Sequence, residues 1–129
     1  MRSNKTLVIL VTGGAGFVAS HLIDRLSQDP NKQVVAIDNL LTGVDSNIPS
    51  KQNTHFVRGD ANRKSDLDKL FKDYKFDYVF HYAAVVGVAR TLQEPLLVLD
   101  DIDGFKYLLK NCLRPVSYTH LTLPTIYSV

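Results

Sequence analysis

The chain has 129 residues, 45% of them hydrophobic and 22% charged, with a formal net charge of +2. That composition suits about one globular domain and excludes a disordered polyelectrolyte. The basic residues are scattered rather than gathered into a stripe, which argues against nucleic acid or a membrane surface as partner. The single cysteine, Cys112, has no internal disulfide partner. It reads as a small buried helix residue in a reducing compartment. The first apolar run, Leu7–Val11, is too short for a signal peptide and is followed by glycines. No run approaches membrane-spanning length, so the expected location is the cytoplasm.

In chain order, Leu7–Val11 is a continuous apolar run, the pattern of a strand buried on both faces of a parallel sheet. A glycine turn follows, and then Phe17, Val18, Leu22, Ile23 and Leu26 recur at helical spacing until Asp29-Pro30-Asn31 ends the helix. Gln33–Asp38 is a second buried strand, leaving into a polar loop with Gly43 and Pro49. His55–Asp60 is a third strand. Ser65-Asp66-Leu67-Asp68 has the form of a helix N-cap leading to Leu67, Leu70 and Phe71. Tyr78–Ala84 is a fourth strand. Pro95 suits the first turn of a last helix, which carries Leu96, Leu99, Ile102, Phe105 and Leu109 along one face. Strands alternating with helices predict an α/β fold, a doubly wound, Rossmann-type parallel sheet with strand order 3-2-1-4.

Gly13, Gly14 and Gly16 lie between the first strand and the first helix. They fit G-x-x-G-x-x-A (Gly13, Gly16, Ala19) and also G-x-G-x-x-A (Gly14, Gly16, Ala19). Glycine permits a tight turn and close approach of backbone to a pyrophosphate, and a small third residue lets the helix pack on the strand. The free N–H groups at the helix start then face the anion. Asp38 ends the second strand, where a carboxylate accepts from ribose hydroxyls and repels a 2′-phosphate, so NAD is expected rather than NADP. The plain alternatives are an ordinary tight turn and a solvated loop carboxylate. A P-loop would need Lys-Ser or Lys-Thr where this chain has Phe17-Val18. A methyltransferase shares the strand–glycine–helix–acid logic, and the Thr12-Gly13-Gly14 opening ranks it lower. The histidines at 21, 55, 81 and 120 lack metal-ligand spacing and fit helix surfaces or strand ends, so no metal site is expected.

Taken together, VTGGAGFVASHL, DNLLTG, GDA and HYAA resemble the extended short-chain dehydrogenase/reductase family, which includes NAD-dependent nucleotide-sugar epimerases, dehydratases and decarboxylases. The resemblance covers about residues 6–113. It implies that Gly13, Gly16, Phe17 and Val18 bind the pyrophosphate and that Asp38, Asn39 and Gly43 surround the adenosine ribose. Asp60 and Ala61 would hold the adenine edge, and Ala83 and Ala84 would pass close to the nicotinamide ribose. Val86, Gly87 and Thr91 would lie at the mouth of a sugar-nucleotide site. Two positions depart from the family pattern: Tyr82 replaces a usual leucine, and Asp101 replaces a usual asparagine. The stretch from Val85 to Gly104 resembles the decarboxylase and dehydratase-like members more than the galactose epimerases. Family members are commonly dimers.

The resemblance also implies a catalytic tyrosine with a lysine four positions later and a serine or threonine that orients the substrate hydroxyl. Here Tyr74, Tyr78, Tyr82, Tyr107 and Tyr118 are followed at that spacing by Tyr78, Tyr82, Val86, Asn111 and Thr122, and Tyr127 lies too near the end. No catalytic residue is therefore assigned. The recognisable domain spans residues 1–114. Pro115–Val129 resembles a translated sequencing adapter: one synonymous back-translation contains CTGTCTCTTATACACATCT, the transposon end attached to DNA in library preparation. That tail is expected to be non-native, leaving the fourth strand as an unpaired edge. The expectation is the NAD-binding half of a nucleotide-sugar epimerase, dehydratase or decarboxylase without its catalytic pair. The alternative is a non-enzymatic NAD(P)-binding or redox-sensing protein of the same fold.

Overall fold

Every second residue of the first two strands enters a different core, which is why their sequences are apolar without alternation. In the computed structural model, Leu10, Val35 and Ile37 face one side of the sheet with Leu67, Leu70, Phe71, Phe76, Val79 and Leu108. Ile9, Val11, Val34 and Ala36 face the other with Ala19 and Ile23. The structure describes residues 5–41, 43–83 and 92–113, and the backbone of 120–122.

The elements are β1 (Leu7–Thr12), α1 (Phe17–Leu26), β2 (Lys32–Asp38), β3 (Thr54–Arg58), α2 (Lys64–Asp73), β4 (Tyr78–His81), α3 (Pro95–Cys112) and β5 (His120–Thr122), with a short 3-10 turn at Asp45–Asn47. All strand pairs are parallel, and the order is β3-β2-β1-β4-β5. The expected order 3-2-1-4 is present. The chain runs outward from β1 through β2 to β3 and then returns to the opposite side of β1. A crevice forms at such a reversal, beyond the carboxyl ends of β1 and β4.

Several expectations need correction. β4 is not an edge: Tyr78, Val79 and Phe80 pair with His120, Leu121 and Thr122. The bonds of such a ladder are made by backbone groups, so any segment without proline that returns beside β4 can satisfy it. β3 ends at Arg58 and β4 at His81, short of the expected Asp60 and Ala84, which places Asp60 and Ala83 in the loops at the crevice.

Helix α2 starts earlier than Ser65. Its N-cap is Arg63, with no side-chain cap. A turn at Asp60 sets the entry: Arg63 N–H donates to the Asp60 carbonyl (3.0 Å), and Asn62 N–H donates to the Asp60 carboxylate (2.8 Å). The carboxylate of Asp66 then reaches back to accept from Asp60 N–H at 2.9 Å.

The face of α3 that packs is only partly the expected one: Phe105 and Leu109 are half-buried, and Phe105 stacks on His81. Gly104, Leu108, Asn111 and Cys112 are buried. Leu96, Leu99 and Ile102 stand 72%, 55% and 60% exposed. Gly104 allows this orientation, because a Cβ there would collide with Asn62 Oδ1 and lie 2.7 Å from Asn62 Cα. Cys112 is buried, as its position in the sequence suggested.

Candidate dinucleotide site

The N–H groups of the glycine turn are spent within the protein, mostly on the end of β2. Gly13 takes a φ of 66°, the left-handed region open to glycine, and donates to the Ile37 carbonyl at 2.8 Å. Gly14 N–H donates to the same carbonyl at 3.3 Å, and Gly16 N–H closes back on Gly13 O at 3.0 Å. Ala15 N–H donates to Asp38 Oδ2 at 2.9 Å. Gly16 is the N-cap of α1 and supplies no side-chain cap. Among the described residues, the first-turn N–H groups of Phe17, Val18 and Ala19 have no intrahelical partner, because the first bond of α1 runs from Ser20 N–H to Gly16 O; Phe17 and Val18 are exposed and Ala19 is buried. Of the four residues expected at a pyrophosphate, Phe17 and Val18 open α1, while Gly13 and Gly16 shape the turn before it.

Asp38 is neither solvated nor idle. It is only 9% exposed. Its Oδ2 holds Ala15 N–H, and its Oδ1 accepts from Leu40 N–H at 2.7 Å. One carboxylate therefore ties the glycine turn to the end of β2. Gly43 packs against this pair, since a Cβ there would meet Ala15 Cβ at 2.8 Å and Asp38 Oδ2 at 2.9 Å. Asn39, also expected here, is exposed and accepts from Leu41 N–H at 2.9 Å, a local turn. Sequence reasoning missed Asn47. Its Nδ2 donates to the Ala15 carbonyl at 3.0 Å, beside Val44 N–H at 3.1 Å on the same oxygen. A lone asparagine in a polar loop carries no spacing signal that marks this contact.

Asp60 and Ala61 follow β3 at the same end of the sheet. Ala61 is buried, and Asp60 is half-buried with Oδ1 held by Asn62 N–H. Asp101, the departure from the family's asparagine, accepts from Asn62 Nδ2 at 2.7 Å and joins α3 to this turn. At the end of β4, the Ala83 backbone lies directly against Gly13, where a Cβ on Gly13 would come within 2.9 Å of Ala83 N. Ala84, Val86, Gly87 and Thr91 lie outside the described residues.

Two residues that the sequence reading did not assign lock this floor. Thr12 and His81 face each other across β1 and β4. Thr12 Oγ1 lies 2.7 Å from His81 Nδ1 and accepts from the N–H groups of Tyr82 (3.0 Å) and Ala83 (3.1 Å). Burial pushes His81 below its ordinary value of 6.5, an effect partly offset by the negative charge of Asp101. Among the described residues no three His, Cys, Asp or Glu side chains converge as a metal cluster. No helix among them is long and apolar enough to cross a membrane.

Comparison with known proteins agrees with this geometry. The model of the NAD dependent epimerase/dehydratase family matches residues 9–119. A bifunctional UDP-glucose 4-epimerase and UDP-xylose 4-epimerase of Pisum sativum is 35% identical over 103 residues, covering 72% of this chain and 29% of its own length. The human dTDP-D-glucose 4,6-dehydratase is 42% identical over 86 residues, covering 62% of this chain and 24% of its own. Among solved structures, UDP-glucose 4-epimerase from Thermus thermophilus in complex with NAD superposes with a TM-score of 0.74 at 33% identity. That match covers 82% of this chain and 33% of the other. The chain thus spans less than a third of the length of the curated relatives named here.

Proposed function

Because the chain belongs to the NAD-dependent epimerase/dehydratase family, we propose that residues 1–114 form the NAD-binding half of a nucleotide-sugar epimerase, dehydratase or decarboxylase. The observation that carries this reading is the arithmetic of the glycine turn. Four of its N–H groups are satisfied internally, while those of Phe17, Val18 and Ala19 in the first turn of α1 have no intrahelical partner and remain for an anion at a helix N-terminus. Asp38 sits beside that anion position and retains acceptor capacity for ribose hydroxyls, because each carboxylate oxygen has two lone pairs and accepts one N–H. In this reading Asp60 and Ala61 hold the adenine edge, and Ala83 passes close to the nicotinamide ribose.

When bound, NAD would supply hydride-transfer chemistry toward a sugar carbon of a nucleotide-sugar, with Phe17, Val18, Asp38, Asp60, Ala61 and Ala83 holding it. This chain's own part is to bind and orient the dinucleotide, in the cytoplasm; none of its tyrosines has a lysine four positions later. NAD binding without turnover follows.

The test is calorimetric titration of the full chain with NAD, alongside Phe17→Pro. Proline suits the first position of a helix, and Gly16 before it is already extended at ψ 165°. The substitution removes one anion donor and leaves the helix its bonds. We expect unchanged unfolding and NAD affinity lower by about tenfold, the worth of one charge-assisted hydrogen bond. Equal affinity in the two chains would remove Phe17 N–H from the site. Absence of NAD binding by the unaltered chain would remove the reading.

A further inference from the structure

We propose that His81 is a positioning residue whose neutral imidazole, carrying its proton on Nε2, holds the Thr12 hydroxyl so that the Tyr82–Ala83 backbone is fixed under the nicotinamide end of the cofactor. This rests on the NAD reading above and adds to it a pH dependence.

The argument begins with what a hydroxyl can do. Thr12 Oγ1 has one proton and two lone pairs. Both lone pairs are engaged, one by Ala83 N–H at 3.1 Å and one by Tyr82 N–H at 3.0 Å, a proton shared with the Thr12 carbonyl at 3.2 Å. Its remaining capacity at His81 Nδ1, 2.7 Å away, is to donate. Nδ1 must then accept, which requires a neutral ring protonated on Nε2.

An imidazolium would turn an N–H toward an oxygen with no lone pair to spare. Two donors would face each other in a place where Thr12 is fully buried. The backbone this clasp holds is the one that Gly13 packs against, so loosening it opens the floor of the turn.

The surroundings of His81 favour the neutral form. Thr12 from β1 is uncharged, and Phe105 from α3 stacks on the ring with centroids 5.9 Å apart. Among the described residues, the one charged group bearing on it is Asp101 of α3, itself engaged by Asn62 Nδ2. Burial outweighs that carboxylate, and the imidazole sits below 6.5. The folded chain therefore binds fewer protons than the unfolded chain from the folded value up to 6.5. The stabilisation is complete above that window and is lost as pH falls through it. Cofactor affinity follows the same direction.

The experiment uses the full chain labelled with 15N, first without cofactor. Long-range proton–nitrogen spectra read the tautomer, and amide shifts of Tyr82 and Ala83 are followed with pH. We expect Nδ1 unprotonated, Nε2 protonated, and both amides moving with the His81 midpoint below 6.5. NAD titrations across that midpoint should then show affinity falling about tenfold on protonation, the worth of roughly one hydrogen bond.

His81→Asn supplies an amide oxygen near the position of Nδ1 at every pH, so it should bind NAD with a flat pH profile. Three results would overturn the proposal: a proton on Nδ1, amides that ignore the titration, or a His81→Asn profile as steep as the original. If the chain binds no NAD at any pH, the cofactor reading fails, while the tautomer and amide shifts still decide the clasp.

Discussion

Replacing Asp38 by asparagine changes one atom of nearly equal size, so packing is preserved while the electrostatics of the turn are not. In the native chain the two carboxylate oxygens hold Ala15 N–H at 2.9 Å and Leu40 N–H at 2.7 Å. An asparagine keeps one acceptor and turns an NH2 group toward the other N–H. One bond to a charged acceptor is lost, worth about 1.5–3 kcal/mol, and the other becomes a neutral bond worth about 1 kcal/mol less. Since Asp38 is 9% exposed, water offsets little of this. The expected cost is about 3 kcal/mol, a large share of the roughly 5–15 kcal/mol that holds a domain together.

Urea unfolding without cofactor reads it as a lower midpoint at unchanged slope. Asp38→Ser should cost at least as much, because both acceptors go. The same loosened turn should weaken NAD more than the lost charge helps NADP. A change under about 0.5 kcal/mol in Asp38→Asn, the scale of an ordinary surface substitution, would refute the clamp.

Other expectations follow from the packing. Gly13→Ala places a Cβ 2.9 Å from the Ala83 and Tyr82 backbone in a left-handed conformation. Strain of about 1–2 kcal/mol and overpacking of about 1–3 kcal/mol should add, and a variant as stable as the original would show that β1 and β4 do not approach this closely. Gly104→Ala sets a helix-propensity gain of about 1 kcal/mol against overpacking of about 1–3 kcal/mol at Asn62, for an expected net loss of about 1 kcal/mol. Stabilisation by the full propensity value would mean that α3 does not rest on that turn. Burial pushes the Cys112 thiol up to about 11, so iodoacetamide should label it only after unfolding, read by mass. Equal labelling rates in native and unfolded chain would contradict its placement.

The fold was legible in the sequence to the extent that it depends on local pattern. Apolar runs without alternation, such as Leu7–Thr12 and Lys32–Asp38, are what a strand covered on both faces requires, and helices between them force parallel pairing. The glycine turn and Asp38 were legible for the same reason, since they lie at element ends whose backbone conformation restricts the residue types allowed. The helix faces were less so. Leu96, Leu99 and Ile102 have helical spacing, yet they stay exposed, and the smallness of Gly104 against Asn62 allows its face of α3 to pack.

Only the tertiary structure decided which N–H groups at the turn remain for an anion, because that depends on Ile37 and Asp38 arriving beside it from β2. It alone joined Thr12 to His81, 69 positions away, and Asn62 to Asp101, 39 positions away. Hydrogen bonds across such separations have no local period. A hydroxyl and an imidazole are as compatible with solvent as with each other until β1 and β4 place them at the same level of the sheet, and Asn62 meets Asp101 only once α3 packs on the turn after β3.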